Sequence, residues 1–286
     1  MRVILVPVAD RPECLLALDT AFDLAGRVSA NLVGCHVRPH REEQRSSRGA
    51  KLTMLLEDGA LPNVSETQAR LNSENARKVF VRMAQEHGAI MARKPRRTDD
   101  VLAYWTEKVG TPERVLGILG PVADCLVVSR PHANGSGPAR AFMLAALMDS
   151  GKPLLVLPQK PLASLGQRVT IAWDQGARAA SAVTAALPLL ARAEQVNIVC
   201  CGPENSPGPK MNQLQAYLRH WGIDSETHRE RGHEETTELL GVYRDTNSDL
   251  LVMGAYSRGR LRERILGGMT HEMLFHSKLP ILTLHG

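Results

Sequence analysis

The feature that most constrains this chain is that its apolar runs occur twice, in the same order. The chain opens with Val3-Ile4-Leu5-Val6-Pro7-Val8-Ala9-Asp10, and near its middle comes Val169-Thr170-Ile171-Ala172-Trp173-Asp174. Each is a short run rich in β-branched residues that closes on an aspartate, and an alanine-rich amphipathic stretch follows it. A second pair is Asp124-Cys125-Leu126-Val127-Val128 and Asp249-Leu250-Leu251-Val252-Met253. A third is Lys152-Pro153-Leu154-Leu155-Val156-Leu157 and Lys278-Leu279-Pro280-Ile281-Leu282-Thr283-Leu284. Self-similarity on this scale means two copies of one folding unit. A chain of 286 residues is long enough for two domains.

The spacing between partners shows where the copies differ. Asp10 to Asp174 and Val37 to Cys201 are both 164 apart, Gly88 to Gly222 is 134, Gly110 to Gly232 is 122 and Asp124 to Asp249 is 125. The first copy therefore carries two insertions, roughly 38–64 and 91–102, both polar and basic. Pro158-Gln159-Lys160-Pro161 through Gly166 has two prolines and little apolar content, and marks the linker. The expected domains are 1–160, which bears the insertions, and 161–286.

Each copy alternates strand and helix. In the second, strands are expected near 168–173, 196–201, 224–229, 250–254 and 281–285, short and apolar as strands buried on both faces are. Between them Val183, Leu187 and Leu190 recur at helical spacing, as do Met211, Leu214, Leu218 and Trp221; Leu15, Leu18, Phe22 and Ala25 do so in the first copy. Alternation with short connections implies right-handed crossovers and parallel pairing. The predicted fold is α/β: two tandem domains, each a five-stranded parallel sheet flanked by helices, Rossmann-like.

Composition narrows function. Aromatic residues are 4% of the chain, too few to build stacking platforms for bases. The net charge is +5, and its excess sits in the first copy. The inserts hold Arg38, Arg41, Arg45, Arg48 and Lys51, then Arg93, Lys94, Arg96 and Arg97, interleaved with Glu42, Glu43, Asp99 and Asp100. Such mixed charge describes solvated loops, so neither a nucleic-acid nor a membrane partner is expected. Within the first insert Leu52-Thr53-Met54-Leu55-Leu56 is apolar and suited to packing over a site or partner. No apolar run approaches the ~18–20 residues of a bilayer span. The N-terminus lacks a secretion pattern and the five cysteines include no CxxC pair, so a reducing cytoplasm is expected. Cys200 and Cys201, being adjacent, point to opposite faces of their strand.

In an open parallel sheet ligands bind beyond the carboxyl ends of the strands, where strand order reverses. In the second copy Asp174 follows the first strand, Cys201 and Gly202 end the second, and Gly254 ends the fourth. Gly254 and Gly259 permit close backbone approach, Gly267-Gly268 precede an amphipathic stretch Met269–His276, and Thr270 is placed to cap that helix. A glycine loop feeding a helix N-terminus suits phosphate, and Arg258, Arg260, Arg262 and Arg264 surround it with positive charge. On residues alone, the same glycines serve a tight turn and the same arginines a solvated face.

The segment from Asp249 to Leu284, and the opening strands that close on Asp10 and Asp174, resemble the universal stress protein family, in both halves. The resemblance implies a tandem member, with the family's dimer formed either between chains or as an intramolecular pseudo-dimer. Many members bind ATP, which brings Mg with it, through Gly, two residues, Gly, nine residues, Gly and then Ser or Thr, with an Asp after the first strand on the adenosine. Here Asp174 matches that Asp, Ala172 and Cys201 fall at apolar positions around the base, and Gly254 and Gly267 match the first and third glycines. Ser257 stands at the second glycine, Gly268 at the Ser/Thr, and Thr270 two residues on at another often-hydroxylated position; Arg258 adds charge. In the first copy Ser129 takes the place of Gly254, no Gly-Ser pair precedes the last helix, and the acid of Val8-Ala9-Asp10 is shifted by one. ATP binding in the family's manner is therefore expected of the second copy and not of the first.

Other chemistry finds no footing. His36, His40, His87, His271 and His276 make no ligand set with Cys, Asp or Glu. There is neither a nucleophile elbow nor a Gly-x-x-x-x-Gly-Lys-Ser/Thr loop. The expected role is a stress-response binding protein with no catalytic residue, nucleotide-linked through its second domain. A partner or small-ligand module that binds no nucleotide, and a slow ATP hydrolase, stand as alternatives.

Overall fold

The computed structural model describes residues 1–39, 65–96, 98–131, 137–205, 207–255 and 268–285. The expectations for Leu52–Leu56, Ser257, Arg258 and Gly267 lie outside these. The chain divides into two compact units, Met1–Pro161 and Leu162–Gly286.

The first unit runs β1 (Val3–Pro7), α1 (Pro12–Val28), β2 (Asn31–Arg38), α2 (Glu66–Glu86), β3 (Ile90–Met91), β4 (Leu102–Val109), α3 (Pro112–Leu119), β5 (Cys125–Ser129), α4 (Gly137–Met148) and β6 (Leu154–Leu157). Its strand order is β3-β4-β2-β1-β5-β6, parallel throughout. The second runs β7 (Arg168–Ala172), α5 (Ala177–Leu190), β8 (Gln195–Cys201), α6 (Met211–Arg219), β9 (Glu226–Glu230), α7 (Glu235–Asp245), β10 (Leu250–Gly254), α8 (Gly268–His271) and β11 (Ile281–Leu284). Its order is β11-β10-β7-β8-β9, again parallel. With β3 set aside the two orders coincide, element for element. The two-residue β3 is an edge added where the second basic insertion begins.

The same local devices start the elements in both units. Asp124 Oδ2 accepts from the amides of Arg2 and Val3 at 2.5 and 3.0 Å, and Asp249 accepts from those of Gln167 and Arg168 at 3.1 and 3.0 Å. The repeated aspartate is thus a clasp that starts the neighbouring strand. α1 opens on Pro12 with Glu13 in its first turn and Arg27 in its last, matching the helix dipole. Ser65 caps α2 by accepting from the Gln68 amide at 3.2 Å. The helical stripes go where their spacing sends them: Val183, Leu187 and Leu190 of α5, Leu214 and Leu218 of α6, and Leu18, Phe22 and Ala25 of α1 are all buried.

Three expectations need correction. Trp221 does not extend the buried face of α6, because that helix ends at Arg219 and the indole is 55% exposed. β9 is not apolar: its Glu-Thr-His-Arg-Glu sequence suits an edge, where charge blunts pairing with other chains. Thr270 does not cap the last helix, which begins at Gly268 and continues as a π-helical turn, Glu272–His276; Thr270 lies inside it and is buried.

Candidate ligand site at the carboxyl ends of β7 and β10

Strand order reverses at β7. The chain leaves it toward β8, while β10 pairs on its other side with Met253 opposite Ala172. Asp174 therefore sits just beyond β7 and Gly254 closes β10, the two strands flanking the switch point, where α/β sheets receive ligands.

The ladder continues one residue past β7, with the Trp173 amide donating to the Val199 carbonyl at 2.8 Å. Asp174 comes next, half-buried, and its Oδ1 accepts from the Gly176 amide at 2.9 Å, which sets the turn into α5. Its other oxygen accepts no hydrogen bond from the described residues. Gln175 is buried and in the left-handed region, at φ 65°. Arg178, in the first turn of α5, donates through Nη1 to the Ala255 carbonyl at 3.4 Å, so a guanidinium stands beside the end of β10.

Gly254 serves close packing. A Cβ built on it would lie 2.7 Å from the Ala179 nitrogen and 2.9 Å from the Arg178 carbonyl carbon. The start of α5 fills the space a side chain would need, which leaves the glycine's main chain for any ligand.

Ala172 and Cys201, both partly buried, pack on one cluster with Val199, Leu239, Tyr243, Leu251 and Met253. They supply an apolar shoulder below the strand ends. The Cys201 thiol donates to the Glu235 carbonyl at 3.5 Å, and burial, reinforced by Glu238 and Glu235, pushes its pKa up to about 12. It is held as a thiol, not a nucleophile. Gly268 is exposed at the start of α8. Among the described residues no group of three His, Cys, Asp or Glu side chains is placed to hold a metal.

The sequence reading missed the connection between β8 and α6. The buried Trp173 indole donates to the Pro209 carbonyl at 2.9 Å, and Lys210 Nζ donates to Gln175 Oε1 at 2.9 Å and to the Glu204 carbonyl. Glu204 in turn accepts from the Met211 amide at 2.5 Å and pairs with Arg229. Gly208 lies so near Gln175 that a Cβ there would be 2.0 Å from its carbonyl oxygen. This connection is tied over the end of β7 beside Asp174. The run Pro207-Gly208-Pro209-Lys210 was the signal available in the sequence.

Hydrogen bonding also settles which residues correspond. The Val8 amide donates to the Cys35 carbonyl at 2.8 Å, as Trp173 does to Val199, so Val8 matches Trp173 and Ala9 matches Asp174. Asp10 falls one place later and is exposed. The first unit has no carboxylate at the position of Asp174.

Two repeated doubly wound α/β units, the second with a carboxylate and a glycine across its switch point, make this a tandem Rossmann-like protein. The chain belongs to the universal stress protein family, whose model matches residues 1–95 and 172–285. It is 26% identical over 238 residues to universal stress protein Slr1230 of Synechocystis, covering 78% of this chain and 76% of that one. In fold it is similar to a universal stress protein from Archaeoglobus fulgidus, with a TM-score of 0.72, 15% identity and coverage of 99% and 97% of the two chains. It is also similar to a protein of unknown function from Pseudomonas aeruginosa, with a TM-score of 0.61, 13% identity and coverage of 99% and 92%. No described helix is long and apolar enough to cross a membrane.

Proposed function

We propose that the protein is a stress-response binding protein whose second domain holds an adenine nucleotide at the carboxyl ends of β7 and β10. The observation that carries this reading is the pairing of Asp174 and Gly254 across the switch point, with one Asp174 oxygen taking no donor among the described residues. Asp174 would take a hydroxyl of the ribose, and Ala172 and Cys201 would flank the base. Gly254, Ser257, Arg258, Gly267, Gly268 and Thr270 would face the phosphates, with Arg178 adding charge. The bound nucleotide would supply a conformational or partner switch, and Cys201 beside it is held as an unreactive thiol.

A second reading, a module for a different ligand, is favoured by the packing of α5 onto Gly254, which accounts for that glycine without any phosphate. Calorimetric titration with ATP, ADP and cyclic AMP separates the two. Heat at up to ~1 mM ATP, weakened about tenfold or more by Asp174→Ala, supports the nucleotide. No heat and no thermal shift at that concentration overturns it. Phosphate release that Asp174→Ala abolishes would add hydrolysis.

A further inference from the structure

An open cleft lies in the first domain, where the nucleotide motif is missing. It has a volume of about 40 Å³ and sits at the carboxyl ends of β1 and β5, walled by Val8, Cys14, Ala17, Val128, Ala139 and Phe142. Arg11, Glu13 and Ser129 form its polar rim.

Ser129 distinguishes this place from its counterpart in the second domain. Ser129 ends β5 as Gly254 ends β10, and Glu13 of α1 occupies the place of Arg178 in α5. In the second domain the Arg178 and Ala179 backbone fills the space that a side chain on residue 254 would need. In the first, the Ser129 side chain stands in that space, with its hydroxyl donating to the Glu13 carbonyl at 2.5 Å. The serine side chain bridges β5 to the first turn of α1, and it lines the cleft.

Its chemistry selects against a nucleotide. The inner part of the cleft is small, and its apolar walls admit a branched three-carbon end. The rim is electrically balanced, with Arg11 Nη1 3.7 Å from Glu13 Oε1. The Glu13 carboxylate already answers the positive end of α1 and pairs with Arg11, so neither charge of the rim is left uncompensated for an incoming ion. The walls are methyl, methylene, thiol and ring surface, which reward apolar contact.

We propose that this cleft binds the short aliphatic end of a small uncharged molecule, leaving that molecule's polar end at the Arg11–Glu13 rim. The test uses the full chain with ¹³C-labelled methyl groups and three probes of one shape: isobutyramide, isobutyrate and isobutylammonium, at up to ~20 mM. The amide is expected to shift the Val8, Ala17 and Val128 methyls saturably and to bind more tightly than either charged probe. Ala139→Leu, which fills the cleft from α4 with a good helix former, should weaken the amide at least about tenfold. Ser129→Gly, which removes the bridge to α1, should do likewise. No methyl shift, tighter binding of isobutyrate, or unchanged binding in folded Ala139→Leu overturns the proposal. So does ATP shifting the same methyls. Should a variant fail to fold, the ranking of the three probes on the unmutated chain decides.

Discussion

Asp249 and Arg168 bind each other twice: the Asp249 carboxylate accepts from the Arg168 amide at 3.0 Å, and the Asp249 amide donates to the Arg168 carbonyl at 2.8 Å. Asp124 and Val3 repeat the arrangement, at 3.0 and 2.8 Å. The clasp joins residues 81 apart in the second unit and 121 apart in the first, which carries the insertions, and it links β10 to β7 and β5 to β1. Asp249→Ala removes the acceptor of two strand-initiating amides. Because these amides lie where water can reach them, the expected loss is about 1 kcal/mol, with Asp249→Asn milder. Urea unfolding followed by circular dichroism measures it, and a midpoint equal to the parent's would show that the clasp contributes nothing.

Gly254→Ala should destabilise the second domain. The new methyl would sit 2.7 Å from the Ala179 nitrogen, and backbone cannot yield as a flexible side chain does, so the expected cost is about 1–3 kcal/mol. Gly268→Ala is the control, since a Cβ there meets nothing within 4 Å. Equal thermal midpoints for the two variants would refute the close-packing account.

Stability should fall on mild acidification. His36 is buried, its Nδ1–H donates to the Val8 carbonyl at 2.8 Å, and burial holds its pKa below the usual histidine value. His285 is lowered in the same way by burial, with Arg178 adding to it. The folded state resists protons that the unfolded state accepts below about pH 6.5, so the stabilisation is present in full above that pH. It is lost as pH falls from there toward the folded pKa, at up to about 1.4 kcal/mol per pH unit for each histidine. Unfolding free energies between pH 7.5 and 5.5 should show this slope, and His36→Gln, which keeps a donor for Val8, should flatten it. A variant as steep as the parent would assign the slope elsewhere.

The thiols should be inert in the folded chain. All five cysteines are free. Burial pushes Cys35, Cys125 and Cys201 up to about 12 and raises Cys14 and Cys200 as well. Thiolate, the reactive form, is therefore scarce at pH 8. Ellman's reagent should titrate the native protein slowly and incompletely, and in guanidinium it should count five. Rapid native reaction of any one cysteine would contradict its place in the fold.

Much of the fold was legible because it follows from short-range pattern. The β-branched runs, the helical stripes of α1 and α5, the duplicated Asp124 and Asp249, and the substitution of Ser129 for Gly254 could all be read along the chain. Trp221 misled, since helical spacing says nothing of where a helix stops. β9 misled because an edge strand, unlike its central neighbours, need not be apolar. The tie of Trp173, Gln175 and Lys210 across the β8–α6 connection was invisible because its partners lie some 35 residues apart and carry no periodic signature.

What the sequence determined by itself is the repeat, the parallel α/β class and the family, all encoded in residue order and spacing. What only the tertiary structure decided is what stands beside each strand end. Gly254 receives a helix backbone, Ser129 hydrogen-bonds one, and Asp174 keeps one oxygen without a donor among the described residues while its counterpart is Ala9. Those outcomes depend on contacts between distant residues at distances of a few ångströms, which residue order along the chain does not encode.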